Sequence, residues 1–116
     1  MLIPPELTTL IEQLNQELTT IEREGADALG FARAFLKRLP NNFTVIQLSA
    51  FLNTAMFFAE TSRRQIQALV KHLLTVDRVT NDEIQELGED LATDLGRAIE
   101  TKIRVIQVKE RLENLQ

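Results

Sequence analysis

From Leu7 onward, apolar or small residues recur at spacings that alternate between four and three: Leu7, Ile11, Leu14, Leu18, Ile21, Gly25, Ala28, Ala32, Phe35 and Leu39. Such alternation averages 3.5 residues, the repeat of a helix that keeps one apolar seam toward its neighbour, and it predicts a first long helix. Proline occurs only at positions 4, 5 and 40, so the ring that breaks a helix interior stands at the two ends of this stretch. Asn41-Asn42 then supplies turn chemistry.

A start signal follows in Phe43-Thr44-Val45-Ile46-Gln47-Leu48, where Thr44 is the expected cap, Gln47 reaches back to it and Phe43 packs on Leu48. The second seam runs Val45, Leu48, Leu52, Ala55, Ala59, Ser62, Ile66, Leu69, Leu73, Val76, until Asp77-Arg78 interrupts it. The same signal returns in Val79-Thr80-Asn81-Asp82-Glu83-Ile84, with Thr80 as cap and acids where the helix dipole favours them. In the third helix the apolar positions Ile84, Leu87, Leu91, Leu95, Ile99, Ile103 and Ile106 follow mostly at intervals of four and drift around the helix.

Short connections make consecutive helices antiparallel. The expected fold is therefore all-α, an elongated antiparallel bundle of three long helices on the order of 50 Å long, at ~1.5 Å per residue. Residues 1–116 form one domain in this reading. Small residues in the first helix (Gly25, Ala28, Ala32) fall opposite Ala59, Ala55 and Leu52, which allows close approach and gives Gly25 a packing role. The alternative is a break at Gly25 and Gly30 that divides the first helix and makes four.

The chain has 116 residues, with 44% hydrophobic and 26% charged, no Cys, Trp or Tyr, and a net charge of -4. That length supports a core without disulfide or metal. Lack of Cys removes thiol catalysis and cysteine zinc sites, and acidic balance argues against general affinity for nucleic acid. No apolar stretch approaches the ~20 residues of a membrane span. Nor does Met1-Leu2-Ile3-Pro4-Pro5 carry the basic region and apolar core of a secretory signal. A cytoplasmic location, with neither membrane nor nucleic acid as partner, is the expectation.

All six Phe lie between positions 31 and 58 and gather at one end of the antiparallel rod. The end of the third helix arrives there with a second apolar row, Val105, Val108, Leu112 and Leu115, beside Ile99, Ile103 and Ile106. Together they cover a wider arc than a three-helix bundle needs, so a contact between chains is expected at Phe57, Val105, Val108, Leu112 and Leu115. Phe57 shares a helical row with Ala50, Arg64, Lys71 and Arg78 and points away from the seam. The competing reading absorbs the second row into the monomer. Gly88, Ala92 and Gly96 make a smooth strip, expected to pack on another helix of the same chain.

Six acids and no base lie in residues 82–94, and five bases with two acids in 97–111; the helix dipole accounts for most of this. Glu83-Ile-Gln-Glu86 and Glu24-Gly-Ala-Asp27 resemble magnesium-binding motifs of all-helical nucleotide pyrophosphohydrolases, but on parallel helices Glu24 and Glu83 stand displaced by ~20 Å along the axis. Di-iron carboxylate chemistry lacks its Glu-x-x-His pairs, since His72 is the one histidine. Histidine phosphotransfer domains are helical bundles of similar size, yet Leu73-Leu74-Thr75-Val76 after His72 has neither the Lys nor the Gly of their motif. His72 is expected to turn toward the third helix, with Glu83 or Glu86 as proton acceptor. Arg63, Arg64, Lys71 and Arg78 form a modest basic row without stacking aromatics.

No cofactor, metal site or catalytic residue is expected. The function expected is that of a non-enzymatic interaction or regulatory module, coiled-coil-like and homodimeric, with histidine phosphotransfer through His72 as the alternative.

Overall fold

The computed structural model describes residues 3–116; Met1 and Leu2, which open the start read above, lie outside the described residues. Three helices follow in order, α1 (Pro5–Arg38), α2 (Phe43–Thr75) and α3 (Asn81–Asn114). The described residues are 89% helical, without strands among them. The helices lie side by side in a rod of 58 × 20 × 17 Å, the shape that long helices with short turns impose.

α1 runs unbroken through Gly25 and Gly30, and the glycines all keep negative φ. Every seam position from Leu7 to Phe35 is buried, whereas Leu39 lies past the helix end and is exposed. Gly25 is needed for contact: a Cβ there would meet the side chain of Met56 on α2. On α2 the inward residues are Val45, Leu52, Ala55, Ala59, Ser62, Ile66 and Leu73, with Leu48 and Leu69 half-buried beside them.

The turn after α1 differs in its cap. Asn42, in extended backbone, accepts the Val45 N–H on Oδ1 at 3.0 Å. A short carboxamide one residue before Phe43 satisfies an orphan amide, so Thr44 falls inside the first turn. Phe43 then points into solvent and no staple to Leu48 forms. At α3 the expected cap is present, with the Glu83 N–H donating to Thr80 Oγ1 at 3.1 Å, while Val79 and Ile84 both rest on the core.

α3 is rotated from its expected setting. Its buried residues are Leu91, Ala98, Val105 and Leu112, with Ile84 half-buried one heptad earlier. A run at intervals of four turns ~40° per step, so from Leu91 onward Leu95, Ile99 and Ile103 drift away from the inner face. Strict sevens keep pace with the α1 seam, and α3 follows them through the small Ala98. Ile99 and Ile103 are consequently exposed.

α1 and α3 run parallel in a fixed register. Lys102 Nζ lies 2.7 Å from Glu17 Oε2, and one heptad later Lys109 Nζ lies 2.7 Å from Glu24 Oε2, with Asp27 Oδ2 at 3.4 Å. Residues separated by 85 in sequence thus stand level, as the Gln116 amide does with the Phe31 carbonyl. The basic end of α3 is used inside the chain.

Candidate functional site: the outward face of α2

Residues 39–59 carry no charged side chain, a run bounded by Lys37 and Arg38 on one side and Glu60 on the other. Its inward row, Val45, Leu52, Ala55 and Ala59, is consumed by packing on α1. Its outward row is not. Phe43 is 70% exposed, Phe57 65% and Ile46 44%, and Leu39 in the adjoining turn is exposed as well. Ala50, Gln47, Asn53 and Thr54 fill the surface between the two rings. The face owes its position to the Asn42 cap, which starts α2 at Phe43, and to the α1–α2 seam, which sets the rotation of the helix.

Of the contact residues expected from sequence, the structure brings only two to the surface, Phe57 and Leu115. Val105 and Leu112 are wholly buried in the chain's own core and Val108 is half-buried against it, so of this row Leu115 alone is mostly free of the core. The competing sequence reading, absorption into the monomer, is the one realised. Phe43 was assigned a staple to Leu48 and Leu39 a place on the first seam, while Ile46 was assigned no role; the charge-free run, longer than its inward row requires, was the available signal.

α2 departs from the expectation that no stretch is apolar enough for a membrane span. It is long enough, and over one eighteen-residue window apolar enough, to cross a membrane by length and composition, although its inner row packs in the bundle.

The basic row is weaker than it looks in sequence. Arg63 donates from Nη2 to Glu22 Oε1 at 2.7 Å and Thr19 Oγ1 at 2.8 Å, and from Nη1 to Asn15 Oδ1 at 2.9 Å, while its Nε also faces the Glu22 carboxylate. Its charge joins α2 to α1. Arg64 is paired with Glu60 one turn away. A groove of about 640 Å³ between the start of α1 and the end of α2 is lined by Ile11, Ile66, Val70 and Leu74 together with Arg63 and Lys71.

His72 is exposed and makes no side-chain hydrogen bond or ion pair among the described residues, against the expectation of a partly buried ring beside Glu83 or Glu86. Thr80 and the turn at 76–80 place those acids at the start of α3, where they remain in solvent. Glu24 and Asp27 both face Lys109, whose ammonium the Glu24 hydrogen bond and neighbouring carboxylate charge hold above the ordinary lysine value. Because Glu24 stands level with Lys109, Glu83 is about 39 Å away along the axis at 1.5 Å per residue, twice the offset read from sequence. No group of three or more His, Asp or Glu placed to hold a metal occurs among the described residues. Of the small strip on α3, Gly88 sits against Leu7, but Ala92 and Gly96 are exposed.

Comparison with protein-family models, with curated proteins and with solved structures finds no match.

Proposed function

We propose that the chain is a non-enzymatic helical interaction module of one domain, acting through protein–protein contacts as a cytoplasmic homodimer, with the outward face of α2 as its contact surface. The observation that carries this reading is the pair Phe43 and Phe57, both mostly in water on a face with no charge between them. Full burial of such a side chain is worth about 1.5 to 3 kcal/mol, so covering these two rings recovers on the order of 3 kcal/mol that the monomer forgoes. Charged residues ordinarily interrupt a solvent face; here they are absent from the half of α2 that carries both exposed rings.

Light scattering tests it directly. The unaltered chain is expected to have the mass of a dimer at micromolar concentration, and Phe57→Glu to reduce it to a monomer with unchanged helicity. If neither Phe57→Glu nor Phe43→Glu alters self-association or the retention of any host protein, the face has no contact role and the reading fails.

One observation favours a second reading. Exposure of His72 meets the steric requirement of a phosphotransfer histidine. The residues that follow it, Leu73-Leu74-Thr75-Val76, nevertheless include neither the cation nor the small residue of that motif. Incubation with a small-molecule phosphodonor, followed by detection of phosphohistidine that His72→Ala abolishes, decides in its favour.

A further inference from the structure

Resting on that reading, we infer that the occupant of the α2 face is a second copy of this chain, paired antiparallel through α2 with Ala50 on the two-fold axis. Phe43, Ala50 and Phe57 are seven residues apart, a large–small–large row about 10 Å on either side of its centre. A row with that symmetry is complementary to its own reverse. An antiparallel copy sets Phe43 level with Phe57 of the partner subunit, twice over, while Ala50 meets its own copy and lets the helices approach closely. The rings are then near enough for offset or edge-to-face contact.

The flanks agree with this arrangement. Gln47 and Thr54 lie on the same side of the row, and a reversed copy brings the Gln47 amide within one residue's rise, ~1.5 Å, of the level of the Thr54 hydroxyl of the partner subunit. That hydroxyl donates its own hydrogen to the Ala50 carbonyl at 3.0 Å and keeps its lone pairs free to accept. A lipid surface offers the Gln47 amide no such partner at acyl depth.

At roughly 200 Å² for a whole phenylalanine side chain, the exposed parts of the two rings amount to on the order of 250 Å² per chain. The four rings of a pair thus supply about half of the ~1,000 Å² at which specific interfaces begin, and Leu39, Ile46, Ala50 and the polar flanks enlarge the contact.

Because the chain has no cysteine, single cysteines report the geometry cleanly. Ala50→Cys is expected to form a disulfide-linked dimer almost completely under mild oxidation. Ala68→Cys, on the same outward side of α2, is expected to give none, because an antiparallel pair holds the two copies of position 68 about 54 Å apart. Cross-linking at both positions signifies parallel pairing and overturns the inference. So does a sedimentation mass of one chain at 100 µM. Sedimentation should also show Phe57→Glu, and the milder Phe43→Ala, raising the dimer dissociation constant at least tenfold with helicity unchanged. A monomer that binds vesicles of phosphatidylserine and phosphatidylcholine through Phe57 overturns it as well, and assigns the face to lipid. A monomer whose Phe57 and Phe43 variants lose a host protein instead sinks the self-pairing while the interaction reading stands.

Discussion

A Cβ on Gly25 would lie 2.6 Å from Sδ of Met56, a distance that no relaxed carbon–sulfur contact reaches. Nothing lies within 4 Å of the same point on Gly30, one and a half turns further along α1. Gly30→Ala should therefore raise stability by about 0.5 to 1 kcal/mol, the difference in helix propensity. Gly25→Ala should fail to gain, because the displaced Met56 offsets the same term. Urea unfolding of both variants, and of Gly25→Ala in a Met56→Ala background where the gain returns, checks the contact.

The cap of α2 gives a second test. Asn42→Ala should cost about 1 kcal/mol, and Thr80→Ala about as much at α3. Thr44→Ala should be neutral within a few tenths, since Thr44 lies inside the first turn, exposed and uninvolved. Thermal unfolding that finds Thr44→Ala more damaging than Asn42→Ala contradicts the observed start.

Arg63 ties α2 to α1 through Glu22, Asn15 and Thr19. With about a third of the pair exposed, Arg63→Met should cost on the order of 1 kcal/mol, and less at high salt. Glu22→Gln should recover part of the bonding and show little salt dependence. Equal loss for both variants at every ionic strength would mean that packing, not charge, does the joining.

Lys109 makes stability depend on alkaline pH. Its folded-state value lies above the ordinary 10.5, chiefly through the Glu24 hydrogen bond, so folding favours the protonated form. That contribution is complete below the unfolded value and disappears as pH rises through the folded one. Stability should stay level from pH 7 to 9, then fall above about 10.5, and Lys109→Met should flatten the fall. The chain contains no Tyr or Cys to titrate in the same range. An unchanged profile in the variant removes Lys109 from the account.

On α3 the core and the surface can be told apart by truncation. Leu112→Ala should cost about 2 to 5 kcal/mol, because Leu112 is fully buried. Ile103→Ala should stay within about 0.5 kcal/mol, since Ile103 is about half exposed. The reverse order in chemical denaturation would restore the setting of α3 expected from its intervals of four.

Much of this architecture was legible because it rests on local periodicity. The α1 seam from Leu7 to Phe35 alternates four and three without error, and a helix that buries one side against neighbours must bury those positions. Pro40 with Asn41-Asn42, and Thr80 with its acids, mark ends by backbone chemistry that needs no distant partner. The cap at Asn42 was missed because Asn42 and Thr44, on either side of Phe43, can each serve, and the choice depends on where α1 releases the chain.

The contact surface was half legible. Phe57 was placed outward by its row, whereas Val105 and Leu112 were placed outward only because Ile99 and Ile103 had been given the core. Along one helix both rows are apolar, and periodicity cannot rank them. What decides is the partner: α1 presents a seam of period 3.5, so α3 can stay in contact only through residues spaced by seven, and Lys102 and Lys109 lock that register on Glu17 and Glu24. The amino-acid sequence by itself therefore determined three helices, their ends within a residue or two and the inner face of α1. Tertiary packing alone decided the rotation of α3, the burial of Val105 and Leu112, and the exposure of Phe43, because each follows from which surface the neighbouring helix offers and not from the residue's own pattern.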